Sequence, residues 1–235
     1  MTPEKIKPRW VFRGVSSEEK VAVPDFFNLN NIPEGTARIM MRRGISTEEK
    51  LTHFLYDTLD NLSDPFLMKG MQQAVRRIIQ AIDLKEKIVI YGDYDVDGIT
   101  STSICVRCLR KLGADVNFYI PLREEEGYGL NRDAINKLSK EGVSLLITVD
   151  CGISSADLVA EAPQSLDIII TDHHQPPKVL PDCVAVLNPH QEDCPYPYKE
   201  LAGCGVAFTL CRGIYKELYN DCLLYTSPSP RDGAT

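Results

Sequence analysis

The sequence predicts an α/β protein with a doubly wound, mostly parallel sheet, preceded by a small helical cap at the N-terminus. From residue 87 onward, short apolar runs alternate with amphipathic segments, as in successive βαβ units. Three of the apolar runs end directly in acidic residues, and sheets of this kind bind ligands outside the carboxyl ends of their strands. We therefore expect the functional site at that edge of the sheet.

The elements are taken in chain order. Residues 1–84 are assigned to the cap: prolines interrupt the first 34 residues, and Gly44 and Thr47 are suited to end one helix and begin the next. Apolar residues at helical spacing predict a further helix over 71–82. Residues 85–220 are assigned to the α/β domain, with strands over 87–92, 115–120, 144–149, 167–171 and 183–187, and helices over 99–112, 130–140, 154–162 and 203–218.

Composition excludes several classes of protein. The formal net charge of −7 argues against a broadly basic nucleic-acid coat but not against a local basic groove. No apolar run approaches a membrane span, and the first residues show no secretory signal. The eight cysteines lack paired zinc spacing, so we expect reduced thiols and a cytoplasmic location.

The first strand ends in Asp93, Asp95 and Asp97, three carboxylates within five residues. Like charges this close repel one another unless a cation lies between them, so a divalent metal is the natural ligand. An exposed acidic turn and a phosphatase of the haloacid-dehalogenase type both remain open from this segment. A calcium-binding EF-hand is excluded, because its twelfth position requires Glu and here holds Ile104.

Two later strands also end in acidic residues. One runs into Asp150, and another runs into Asp172, His173 and His174. A single Asp in this place can be a helix N-cap, but adjacent histidines are rarer and point in different directions. One of them can therefore bind metal while the other contacts substrate. Mixed carboxylate and imidazole ligands suit manganese better than magnesium, and a cluster of this size can hold two ions.

These motifs together resemble those of the DHH phosphoesterases. The matching segments are 92–98, 148–152 and 172–174, and the phosphatase alternative lacks the third. The chain is further similar to the RecJ-type single-strand-specific exonucleases in segments 64–66, 126–130, 187–190, 193–197 and 203–208.

The resemblance implies a 5′→3′ exonuclease that acts on single-stranded DNA in repair and recombination, using Mn²⁺ or Mg²⁺ at a two-ion site. It also implies a monomer that works with single-stranded DNA and with a single-strand-binding protein or a helicase, away from membranes. The implied metal ligands are Asp93, Asp95, Asp97, Asp150 and His173. The implied catalytic residues are His174, at the scissile phosphate, and Asp172. The implied substrate-binding residues are Arg123, Tyr128, Gly203 and Gly205.

The sequence also departs from the family pattern. Tyr91 stands where many members carry His, and Thr209 stands where Lys is usual. The fourth motif, with its metal-binding Asp, and the later domains have no counterpart here. Residues 221–235 lack periodicity, and we interpret them as a non-native tail. We therefore expect weak metal binding and slow or absent cleavage. Two alternatives are a DHH phosphoesterase acting on short oligonucleotides or nucleotide phosphates, and a catalytically silent nucleic-acid-binding scaffold.

Overall fold

The structure, a computed structural model, describes residues 22–121 and 129–219. Two compact units divide between Leu62 and Ser63. Arg123, Tyr128 and the segment 221–235, to which the sequence assigned roles, lie outside the described residues.

The first unit contains three short helices. They are α1 (Asp25–Leu29), α2 (Glu34–Arg42) and α3 (Glu48–Tyr56). Gly44, just beyond α2, has a φ of +87°, which suits a residue without a side chain. The Thr47 hydroxyl accepts a hydrogen bond from the Lys50 N–H at 3.3 Å and begins α3, as the sequence suggested. Four buried side chains form the core of this unit: Phe27, Ala37, Met40 and Leu51.

The second unit is built on one five-stranded sheet in which every strand pairing is parallel. The strands are β1 (Lys87–Gly92), β2 (Asp115–Tyr119), β3 (Val143–Val149), β4 (Asp167–Thr171) and β5 (Ala185–Leu187). Their order in the sheet is β2-β1-β3-β4-β5. The chain reverses its direction of winding between β1 and β3, which is where doubly wound sheets open a ligand crevice. The predicted α/β class is confirmed.

Helices cover both faces of this sheet. The helices are α4 (Met71–Asp83), α5 (Val96–Lys111), α6 (Arg132–Lys140), α7 (Ala156–Ala160) and α8 (Gly203–Tyr219). One buried cluster joins α4, α5 and α8 to the sheet, and a second cluster joins α6 and α7 to the opposite face. Helices α4 and α8 approach closely at Gly213, where an added Cβ would lie 2.8 Å from the Met71 sulfur. Thus α4 packs within the α/β unit.

Helix α5 begins three residues earlier than the predicted 99, whereas the other predicted bounds from residue 87 onward agree within two residues. The cause is the side chain of Asp95, whose Oδ1 accepts the N–H groups of Asp97 at 2.8 Å and Gly98 at 2.9 Å. This N-cap satisfies donors that a helix otherwise leaves without partners. Asp95 and Asp97 therefore belong to the start of a helix, whereas Asp93 lies between β1 and the N-cap.

The start of the second unit is tied to α8. Asp64 caps a short 3₁₀ turn by accepting the N–H of Phe66 at 3.0 Å, and it pairs with Lys216 at 2.7 Å. The buried Arg212 donates from Nη1 to the Ser63 carbonyl at 3.0 Å. The 64–66 motif thus has a structural role. Among the helices in the described ranges, none has the length and apolar content needed to cross a membrane.

Candidate metal centre

The carboxyl ends of β1, β3 and β4 lie side by side, because these three strands are neighbours and run in parallel. Asp93, Asp150 and Asp172 each directly follow the last residue of one strand. Their exposed fractions are 3%, 1% and 1%, respectively. Burying carboxylates together is costly unless hydrogen bonds or cations compensate for the lost water. The three aspartates are compensated in different ways.

Two groups of side chains have the spacing needed to hold a metal ion. Asp93, Asp95 and Asp150 form one group, and Asp150, His173 and His174 form the other. Within each group, one potential ligand atom from every residue lies within 4.8 Å of the others. Asp150 belongs to both groups. This sharing is the arrangement that a pair of neighbouring cations would require.

Asp150 is the residue whose environment most favours a cation. Its backbone adopts a φ of +62°, and its N–H donates to the Thr171 carbonyl at 2.9 Å. Its Oδ1 lies 3.1 Å from His173 Nε2, but it is buried and without a hydrogen-bond partner among the described residues. Burial, followed by the charges of Asp97 and Asp95, raises the pKa of Asp150 to about 8. A divalent cation would bind the unpartnered Oδ1 and reduce the repulsion between Asp150 and its neighbouring carboxylates. The donor set therefore fits Mn²⁺ or Mg²⁺.

The raised pKa of Asp93 has the same leading cause. Burial raises it most, the N–H of Tyr94 opposes this at 2.7 Å, and the charge of Asp95 raises it further. Asp93 and Asp150 therefore both lie where negative charge is unfavourable without a cation.

Asp97 is outside both groups and is instead held by the first residues of α8. Its Oδ2 accepts the N–H of Gly203 at 2.6 Å, and its Oδ1 accepts the N–H of Cys204 at 2.7 Å. Burial acts to raise the pKa of Asp97, but these N–H groups and the Cys204 thiol outweigh it and hold that pKa below its ordinary value. Its Oδ2 also lies 3.7 Å from His173 Nε2. Asp97 thus joins α5 to α8 at the border of the metal-binding groups.

Asp172 accepts four hydrogen bonds, which position the neighbouring residues. Its Oδ2 accepts the N–H of Ile153 at 2.9 Å, and its Oδ1 accepts the backbone N–H groups of His173 at 2.7 Å and His174 at 3.1 Å. The same Oδ1 lies 2.7 Å from Nδ1 of His174, which donates to it. A carboxylate with four donors is well compensated without a metal.

His174 is oriented by this contact. Burial acts to lower the pKa of His174, but the hydrogen bond and charge of Asp172 outweigh it, and the pKa is raised. The contact with Asp172 therefore fixes which ring nitrogen of His174 faces the carboxylate. The rings of His173 and His174 are 4.5 Å apart and inclined by 50°, so the two side chains present different groups to the site.

Asn188 supports the same histidine, and sequence reasoning did not give it a role. It is fully buried after β5; its Nδ2 donates to the His174 carbonyl at 2.8 Å, and its Oδ1 accepts the N–H of His190 at 2.8 Å. The signal available was an Asn directly after a buried strand, within a segment already noted for its resemblance.

The two glycines predicted to bind substrate have different surroundings. A Cβ on Gly203 would lie 2.8 Å from both Cβ and Cγ of Asp150, so a glycine is required for this approach of α8 to β3. A Cβ on Gly205 would meet the end of the Leu201 side chain at 3.0 Å, and that side chain is able to move. Direct contact of either glycine with substrate stays a prediction.

Tyr91 and Thr209, the two residues that depart from the family pattern, are both buried. Tyr91 is buried against α6 and α7; its hydroxyl donates to the Gly129 carbonyl at 3.0 Å and accepts from Asn131 Nδ2 at 3.1 Å. Its ring stacks on Tyr119 with centroids 5.3 Å apart. The hydroxyl of Thr209 donates to the Gly205 carbonyl at 2.8 Å. Tyr91 is in neither of the two metal-binding groups.

A cleft of about 350 Å³ lies next to His174. It is lined by Gly129, Gly152, Ile153, Ser154, Ser155, Asp172 and His174. Its volume is within the range of small-molecule sites, and its lining is rich in backbone and hydroxyl groups. The cleft is therefore lined by the histidine that Asp172 orients.

The fold and this site define a doubly wound α/β protein with a carboxylate–imidazole centre suited to divalent cations. Residues 87–226, more than half of the chain, match the sequence model of the DHH family, N-terminal domain. The chain belongs to the DHH family.

Individual relatives and solved structures are consistent with this family assignment. The single-stranded-DNA-specific exonuclease RecJ of Bacillus subtilis is 44% identical over 218 residues, which are 92% of this chain and 27% of that protein. The crystal structure of an exonuclease RecJ bound to manganese matches with a TM-score of 0.60 and 37% identity, over 65% of this chain and 39% of that one. RecJ of Thermus thermophilus in complex with Mn²⁺ matches with a TM-score of 0.63 and 30% identity, over 83% of this chain and 27% of that one. The chain thus spans about a quarter of the length of the B. subtilis relative.

Proposed function

We propose that this protein acts as a metal-dependent 5′→3′ exonuclease that hydrolyses phosphodiester bonds of single-stranded DNA. The observation that carries the proposal is the orphaned, buried Oδ1 of Asp150 at the centre of two groups of metal-binding side chains. The named relatives at 44% and 37% identity support the choice of substrate and reaction.

The proposed ligands are Asp93, Asp95, Asp97, Asp150 and His173. Mn²⁺ or Mg²⁺ held by these residues would supply Lewis-acid polarisation of the phosphodiester and activation of water. The hydrogen bond that Nδ1 donates to Asp172 fixes the ring of His174, and the raised pKa of His174 favours its cationic form. A cationic Nε2–H is suited to donate to a phosphate oxygen and to stabilise the negative charge that develops there.

The proposed substrate, partner proteins and location follow from the resemblance to RecJ exonucleases. The named relatives support single-stranded DNA as substrate, and they say nothing of a single-strand-binding protein or a helicase. We retain those partners, a monomeric state and a cytoplasmic location as parts of the proposal.

The test is to measure Mn²⁺ binding and DNA cleavage on the same preparation. Binding is followed by calorimetry on the chain and on Asp150→Asn, with Asp115→Asn as the matched control. Asp115 is an exposed carboxylate at the first residue of β2, at the opposite edge of the sheet. We expect Asp150→Asn to weaken Mn²⁺ binding by more than about tenfold, and we expect the control to bind as the unmodified chain does.

Cleavage is followed on a single strand, a duplex and a dinucleotide, each with and without Mn²⁺. The expected result is slow, metal-dependent loss of nucleotides from the 5′ end, faster on the single strand than on the duplex or the dinucleotide. Preference for the dinucleotide would favour a phosphoesterase of short oligonucleotides instead. Unchanged Mn²⁺ binding in Asp150→Asn would refute the proposed site itself.

A further inference from the structure

Thr148 is a fully buried residue near the end of β3, two positions before Asp150, and it is in neither of the two metal-binding groups. Its Oγ1 donates a hydrogen bond to the Cys151 carbonyl at 2.8 Å. Its own carbonyl accepts a hydrogen bond from Oγ1 of Thr171, the last residue of β4, at 2.8 Å. Two buried hydroxyl groups therefore fasten the ends of β3 and β4 on either side of Asp150.

The backbone of Asp150 requires such support. Its φ of +62° lies in the left-handed region, which few residues other than glycine adopt, although Asp tolerates it. A residue stays in this region only when the surrounding structure holds it there. On one side of Asp150, its N–H donates to the Thr171 carbonyl at 2.9 Å; on the other side, the next carbonyl along the chain accepts from Thr148.

The packing of Gly152 shows how closely the chain is built around the Thr148 hydroxyl. A Cβ on Gly152 would lie 2.9 Å from Oγ1 of Thr148, and the φ of Gly152 is +105°. A glycine is therefore needed for the chain to return to this hydroxyl directly after Asp150. A valine at 148 would have the shape of threonine and would fill the same space, but it would leave the Cys151 carbonyl without this donor.

We propose that Thr148 is a positioning residue for the metal centre: its hydroxyl holds the segment 148–152 in the conformation that directs the Asp150 carboxylate towards both metal-binding groups. The inference rests on the proposed function, because it assumes that these groups bind Mn²⁺ or Mg²⁺. Asp150 belongs to both groups, so a change in its backbone conformation displaces a ligand from both of them at once. Residues that orient a metal ligand affect metal affinity without contacting the metal.

The first measurement is Mn²⁺ affinity, read from the electron paramagnetic resonance signal of the unbound ion. We expect Thr148→Val to weaken binding by about tenfold or more, and we expect Thr148→Ser, which keeps the hydroxyl, to restore most of that loss. Thr209→Val is the matched control. Thr209 is also buried and its hydroxyl also donates to a backbone carbonyl, that of Gly205 at 2.8 Å, so the control loses the same kind of hydrogen bond and should bind Mn²⁺ as the unmodified chain does.

The second measurement reports the conformation of Asp150 in the metal-free chain, with EDTA present. A positive φ brings the N–H and Hα protons of one residue close together, which gives a strong intraresidue nuclear Overhauser effect. We expect a strong effect at Asp150 in the unmodified chain and in Thr148→Ser, and a weak one in Thr148→Val. A residue that only stabilised the fold would not change this signal, and the signal depends on neither metal nor nuclease activity.

The inference is overturned by a weak effect at Asp150 in the unmodified chain, by an equally strong effect in Thr148→Val, or by equal loss of Mn²⁺ affinity in Thr148→Val and Thr209→Val. Far-ultraviolet circular dichroism checks that each variant is folded, and Thr148→Ala takes the place of a Thr148→Val preparation that is not. Absence of Mn²⁺ binding in the unmodified chain would refute the proposed metal centre and this inference with it. An Asp150 conformation that does not respond to Thr148→Val would refute this inference alone.

Discussion

Replacing Asp150 by Asn should stabilise the metal-free protein and weaken its stabilisation by metal. The substitution keeps the shape of the side chain and removes the negative charge. In the folded protein the Asp150 carboxyl group is buried beside Asp97 and Asp95, and its pKa is raised to about 8. A carboxyl group with this pKa when folded and an ordinary one when unfolded keeps its proton longer in the folded state. The free energy of unfolding therefore falls as the pH rises from about 4 to about 8.

The size of this penalty follows from the two pKa values. The difference between 3.8 and about 8 sets an upper bound of about 6 kcal/mol. Solvent reaches the neighbouring Asp95, which is exposed, and screens the repulsion, so we expect about 2 kcal/mol at pH 8. At pH 5 the folded Asp150 already holds its proton, and the difference should shrink to less than about a third of that value.

Urea denaturation at pH 8 and pH 5, with EDTA or with Mn²⁺, measures these differences. With EDTA at pH 8, Asp150→Asn should unfold at a higher urea concentration than the unmodified chain. Mn²⁺ at 100 times the dissociation constant of the unmodified chain should add about 2.7 kcal/mol to that chain and less than about 1.4 kcal/mol to a variant that binds more than tenfold more weakly, so the advantage of the variant shrinks.

Asp172→Asn is the control for this prediction. Asp172 is as buried as Asp150 but accepts four hydrogen bonds, so its replacement should destabilise the protein under every condition. If Asp150→Asn were also less stable than the unmodified chain at pH 8 with EDTA, the inferred repulsion would be wrong.

Three further predictions concern the surroundings of the site. Gly203→Ala should weaken Mn²⁺ binding by about tenfold or more in calorimetry, because its Cβ would displace the Asp150 carboxylate, whereas Gly205→Ala should bind normally. Asn188→Ala breaks two hydrogen bonds made by a buried side chain, so it should cost about 1–3 kcal/mol in urea denaturation and lower kcat more than it raises KM. Lys216→Met removes a partly exposed ion pair and should cost less than about 1 kcal/mol, an effect that high salt should also produce in the unmodified chain.

Much of the α/β unit could be predicted from local sequence. Strands β1, β3, β4 and β5 are short apolar runs, and a buried strand in a parallel sheet needs little more than that. The acidic residues and histidines could be assigned to strand ends because they follow these apolar runs in the sequence. The beginning of α5 was not, because Asp95 reads equally well as a turn residue and as an N-cap.

The contacts between distant segments could not be predicted in this way. Asp97 is held by the N–H groups of residues more than 100 positions later, and Asn188 holds a carbonyl 14 positions earlier. Backbone donors carry no side-chain signature, and a buried Asn has the same letter as one in an exposed turn. Hence the sequence indicated which carboxylates lie near one another, but not which of them already accept hydrogen bonds from nearby donors.

That difference in compensation separates the roles of the acidic residues. Asp172 accepts hydrogen bonds from four donors, two of them on His174, so it is suited to orienting His174. Asp150 has equal burial and an orphaned oxygen, so its ionised form is unfavourable until a cation arrives. A protein selected for stability alone would not keep this arrangement, since an isosteric amide removes the repulsion. The instability stored at Asp150 is therefore an argument for metal binding that does not depend on resemblance to any relative.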